Sequence, residues 1–170
     1  DKKIKRVFFS IKDPDMRSFD KSTKILKKNK IDVKRGFYSK EISDFYRSYI
    51  KSKKDNLPFT TCKIAVTKDF FMINKKKRFI TNEYSRGRVH LMRSMSDCVI
   101  TSSSTVINDN PRLSCRINGL LNRSPSRIIL DRNLKIPLNS KLVNEANSFQ
   151  TIIFFNTENI NKTRLIKKKG

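Results

Sequence analysis

The chain has 170 residues, enough for one domain or one domain and part of another, and its hydrophobic share of 36% is low but sufficient for a core. Lysine and arginine outnumber aspartate and glutamate by 39 to 15, and the resulting +24 points on its own to nucleic acid or an anionic membrane. No apolar run approaches the ~20 residues of a membrane span, no signal-peptide pattern is present, and a lone histidine without any Cys-x-x-Cys argues against a Cys/His zinc site.

Along the chain, the compact run Val7–Ile11 reads as a strand ended by an Asp13-Pro14-Asp15 turn. Ser18 to Asn29 reads as a helix with Ile25 and Leu26 inside, and Ile31–Val33 as a short strand. Ser39 is read as an N-cap for an amphipathic helix whose apolar positions are Ile42, Phe45, Tyr46, Tyr49 and Ile50. A charge cluster at 51–56 and Pro58 place the main boundary near residue 57. Phe59 to Val66 reads as a strand, 68–77 as a polar excursion, and Thr81 as the N-cap of a helix from Asn82 to Met95. Cys98–Thr101, Arg127–Leu130 and Thr151–Phe155 are further strands, with loop over 108–126 and a short helix near Ser140–Ala146. Strands alternating with helices predict an α/β fold with a largely parallel sheet.

The run from Arg93 to Arg116 carries the most chemistry. It reads as a buried strand opening into a hydroxyl-rich loop closed by Asn110-Pro111, where α/β proteins collect ligands. Hydroxyls and Asp109 suit sugar oxygens, and Arg93 and Arg116 suit a phosphate. Structural readings stand beside these: Thr105 as helix capping, Asp109 as an Asx turn, the arginines as solvated cations. Lys63 sits mid-strand, where a lysine needs a partner, and is read as facing a ligand site. His90, among basic residues on a helix, is read as surface. Four glycines in all exclude a Gly-rich dinucleotide fingerprint, and no P-loop or nucleophile-elbow motif occurs.

The lysines are spread over 2–5, 24–30, 51–54, 75–78 and 167–169, and enrichment in Lys, Asn, Ile and Phe reads as a compositional bias of the genome. A basic nucleic-acid-binding protein is therefore kept only as the alternative function. Cys62, Cys98 and Cys115, odd in number and widely spaced, favour reduced thiols and a cytoplasmic location.

Taken together, several segments resemble the bifunctional riboflavin-biosynthesis deaminase-reductase family. They are Pro58-Phe-Thr-Thr-Cys-Lys63-Ile-Ala65, Phe79-Ile-Thr81 in place of Trp-Ile-Thr, and Arg86-Gly-Arg88-Val-His90-Leu-Met-Arg93. The pattern continues in full from Ser96 to Arg116 and ends with Arg127-Ile-Ile-Leu-Asp131. Thr67-Lys-Asp69-Phe70 departs from the family's Ser-x-Asp-Gly turn, Lys77 replaces a hydroxyl residue, and Arg132 stands where serine is frequent.

The resemblance implies a cytidine-deaminase-like tail over 1–56 and the first part of a dihydrofolate-reductase-like domain over 57–170. The deaminase's zinc motif would lie upstream, and the piece alone is expected not to turn over. The implied reaction is NADPH-dependent reduction of 5-amino-6-(5-phosphoribosylamino)uracil to its ribitylamino product, in a full-length homo-oligomer without membrane partners. By position, Ala65, Phe79, Thr105 and Asp109 would contact NADPH. Lys63, Lys77, Arg93, Leu113 and Arg116 would contact the phosphosugar-pyrimidine substrate.

Overall fold

The computed structural model describes residues 3–72, 79–156 and 159–170, which divide into two compact units, 1–64 and 65–170. The first unit pairs β1 (Arg6–Phe9) in parallel with β2 (Asp32–Arg35), and α1 (Lys21–Lys28) forms the crossover that parallel pairing requires. Thr23 is buried on α1 and Leu26 half-buried, whereas Ile25, expected inside, lies on the outer face at 61% exposure. The single amphipathic helix expected next is two, α2 (Ser39–Phe45) and α3 (Arg47–Asp55), joined at Tyr46. Ser39 is the first helical residue rather than the cap; Tyr38 precedes it with left-handed backbone (φ 50°).

Residues 57–66 form no strand. A strand exists through its pairing, and among the described residues no backbone hydrogen bond joins this segment to another. Lys63 is accordingly exposed, so burial does not demand a partner for it. The division between the units falls after Ile64, seven residues beyond the boundary expected near 57.

In the second unit α4 (Glu83–Ser94) is capped by Asn82, whose side chain accepts the Ser85 N–H at 2.9 Å. Thr81, expected in that role, instead offers its carbonyl to Arg86 at 2.7 Å. Three parallel strands follow in spatial order β3 (Cys98–Ser102), β4 (Ser126–Leu130) and β5 (Thr151–Phe154). The fold class is thus α/β with parallel pairing throughout, as alternation of elements predicts.

Because side chains alternate along a strand, Val99, Ile129 and Ile153 face one side. There they meet Val106 of α5 (Ser103–Asp109), Leu142 and Val143 of α6 (Lys141–Asn144), Ile166 of α7 (Ile160–Lys167), and Leu113, Leu134 and Ile136 from the connections. The other side leaves Ile100, Leu130, Ile152 and Phe154 exposed, so β3 is not the buried strand expected. Helix α7 was not anticipated.

The turn at Thr67–Phe71 holds a local conflict. Phe70 takes left-handed backbone (φ 64°) at the position where the resembled family carries glycine, while its ring is 84% exposed and contributes little packing. Left-handed backbone costs a residue with a Cβ about 1–2 kcal/mol, and glycine's own chain entropy takes back about 0.5–1 kcal/mol. Phe70→Gly is therefore expected to stabilise the unit slightly and raise its Tm by about 2–4 °C. A Tm that falls would show that the phenyl ring packs in solution.

Candidate anion and cofactor site

The geometry of α4 starts the site. Arg86, His90 and Arg93 are four and three residues apart and so share one helical face. Arg86 stacks over the Phe79 ring at 4.6 Å. Arg93, half-buried, donates from Nη1 to the Ser114 carbonyl at 3.2 Å, which ties the helix to the connection between α5 and β4.

That connection is held rigidly. Asn110 and Leu113 both adopt left-handed backbone, Asn110 accepting the Lys141 N–H through its side chain at 2.9 Å. Leu113, Ser114 and Cys115 are buried in succession, and the Cys115 N–H donates to the Ser124 hydroxyl at 3.0 Å. Arg116 emerges next, exposed, its Nη2 3.2 Å from His90 Nε2.

Arg93, His90 and Arg116 thereby gather three basic groups around one backbone turn. Among the described residues neither arginine has a carboxylate partner, whereas nearby Arg112 is neutralised by Glu145 at 2.8 Å. Burial and then the adjacent Arg116 charge push the Arg93 guanidinium below its ordinary pKa, although it stays cationic. Unneutralised guanidiniums held together in this way suit an anion with several oxygens, such as a phosphate.

The other expected site residues have separate fates. The hydroxyl-rich stretch after β3 is helix α5 rather than loop: the Ser102 hydroxyl caps it toward the Thr105 N–H at 3.4 Å. Thr105 and Asp109 then lie one turn apart on the same helical face, offering a hydroxyl and a carboxylate acceptor, a pair that fits ribose hydroxyls. Ala65 is half-buried at the start of the second unit, and Phe79 is exposed. Leu113 turns into the core at 8% exposure, so its side chain serves packing and only its backbone faces the site's connection. Lys63 belongs to the first unit, and Lys77 lies outside the described residues.

His90 is the residue that sequence reasoning missed. Its basic neighbourhood suggested surface, yet its spacing from Arg93 already put the two on one face.

Comparison with known proteins identifies the family. The family described as RibD C-terminal domain matches residues 58–167. The riboflavin biosynthesis protein RibD of Aquifex aeolicus is 30% identical over 169 residues, covering 98% of this chain and 47% of that protein. RibD of Chlamydia muridarum is 28% identical over 169 residues, covering 97% of this chain and 45% of its own length. Among solved structures, the diaminohydroxyphosphoribosylaminopyrimidine deaminase/5-amino-6-(5-phosphoribosylamino)uracil reductase of Thermotoga maritima superposes with a TM-score of 0.81 at 28% identity, over 92% of this chain and 44% of that one. Acinetobacter baumannii RibD gives 0.75 at 26%, over 95% and 46%. The chain spans about half the length of the curated relatives it matches. These matches do not favour the nucleic-acid alternative that the net charge raised. With its parallel α/β unit, the Arg93 and Arg116 pair beside the Ser114 turn and a match running through both, the chain belongs to the RibD C-terminal domain family.

Proposed function

We propose that this chain provides the reductase part of a riboflavin-biosynthesis enzyme, reducing 5-amino-6-(5-phosphoribosylamino)uracil to its ribitylamino product with NADPH. The observation carrying this reading is the unneutralised pair Arg93 and Arg116 beside the Ser114 turn, inside the segment matched by the family. The pair binds the substrate's 5′-phosphate and fixes the sugar's position, so that part of the entropy cost of alignment is met on binding. The backbone at Leu113, in the same unit as the pair, adds to the substrate contacts.

Thr105 and Asp109 would hold ribose hydroxyls of NADPH, Ala65 leaves room for its approach, and Phe79 offers a flat apolar face. When bound, NADPH supplies the hydride that the ribosyl C1′ receives. The protein's share is orientation and charge neutralisation.

We read residues 57–170 as the first part of the reductase domain and 1–56 as the end of a deaminase-like domain whose zinc ligands belong to an upstream segment. The start of the family match at residue 58 supports that division. A cytoplasmic, homo-oligomeric enzyme is the setting this reading implies. The test is NADPH consumption by the full-length protein carrying this chain, supplied with the phosphoribosylaminouracil and followed by product analysis. A ribityl product formed in step with NADPH loss is expected. Substrate-independent NADPH loss, or none, would refute the reading.

A further inference from the structure

His90 is the only histidine in the sequence, and its ring stands between two cations. Its Nε2 lies 3.2 Å from Arg116 Nη2. A guanidinium has donors only, so Nε2 must be the bare nitrogen that accepts, and a neutral ring then carries its proton on Nδ1. Nδ1 is shut off from solvent without a well-formed hydrogen bond. The ring therefore touches the site through Nε2 and Arg116 rather than through a ligand.

We propose that His90 is a positioning residue of the anion site, holding the Arg116 guanidinium beside Arg93 through a neutral Nε2 acceptor. The proposal rests on reading Arg93 and Arg116 as the phosphate clamp. The choice of partner has a physical logic. An exposed arginine must lose side-chain freedom when it grips a ligand. A carboxylate would hold it in advance but cancel the charge that the phosphate needs. A neutral imidazole holds it and leaves the charge intact.

The surroundings keep the ring neutral. Burial acts first, then Arg93 from the same helix and Arg116 from the facing connection, all pushing the His90 pKa below 6.5; the Ser114 backbone opposes them weakly. At neutral pH the acceptor is therefore available, and it is lost only when acid protonates the ring.

The test uses the full-length protein carrying this chain, with the His90 ring nitrogens assigned by the signals lost in His90→Gln. Long-range proton–nitrogen NMR near pH 7 is expected to show the Nδ1–H tautomer, and Arg116→Ala should shift it toward Nε2–H. Titration with inorganic phosphate at about 0.15 M salt should show binding weakened about tenfold in His90→Leu. His90→Gln, whose amide oxygen can accept in place of Nε2, should stay within about threefold of the parent. An Nε2–H tautomer in the parent chain, or equal losses for Leu and Gln, would overturn the proposal. Should the parent bind no phosphate while the tautomer still responds to Arg116→Ala, the positioning stands and the phosphate reading falls.

Discussion

Replacing Arg127 by methionine is expected to destabilise the second unit by about 3–5 kcal/mol. Arg127 sits mid-β4 with no exposed surface, the most buried charge described in the chain. Its Nε and Nη2 donate to the Thr151 hydroxyl at 3.0 and 2.6 Å, and Nη2 also reaches the carbonyls of Leu142 and Phe149 at 3.0 and 3.1 Å. Nη1 donates to the Arg112 carbonyl at 3.2 Å and pairs with Glu145 at 3.6 Å. Methionine fills similar space but leaves these acceptors without a donor and Glu145 short of a partner, and breaking a buried pair costs far more than the pair contributes net. The effect should reach the site, because Arg127 and the Arg112–Glu145 bridge anchor the connection that carries Ser114 and Arg116. Denaturant unfolding measures it. A loss below about 1 kcal/mol would mean that the network is far weaker in solution than its geometry implies.

Arg93→Ala and Arg116→Ala are each expected to raise the KM for the phosphorylated substrate about ten- to a hundredfold, with kcat changed much less. A hydrogen bond to a charged group contributes about 1.5–3 kcal/mol, and each 1.36 kcal/mol is about a factor of ten. The contact to a phosphate remote from the reacting carbon is made equally in ground and transition states, which places its loss in KM. Arg93→Ala carries an added cost, since it also frees the Ser114 carbonyl. Unchanged KM in both variants, measured in the full-length protein, would remove the phosphate role.

The parallel α/β character was legible because it depends on alternating strand and helix patterns that each segment carries locally. Val7–Ile11, Arg127–Leu130 and Thr151–Phe155 all correspond to strands within a residue or two. The segment 59–66 was misread for a complementary reason: its composition suits a strand, but pairing is a property of partners and not of the segment itself. Helix α5 was hidden because serine and threonine are weak helix formers, and here one of them, Ser102, acts as a cap for the others. At the site, Arg93 and Arg116 were legible as cations flanking a polar stretch. Their convergence on Ser114 and His90 was not, because it depends on left-handed backbone at Asn110, which asparagine tolerates at a helix end, and at Leu113, where the residue type gives no hint of it.

The proposed role of the two unneutralised arginines is to read the substrate's phosphate. It is tested most directly by comparing KM for the phosphoribosylaminouracil with KM for the same compound lacking its 5′-phosphate, using the unaltered full-length protein. A penalty of about a hundredfold or more is expected for the dephosphorylated form, and the same penalty should shrink in Arg116→Ala. Equal KM values for the two compounds would contradict it.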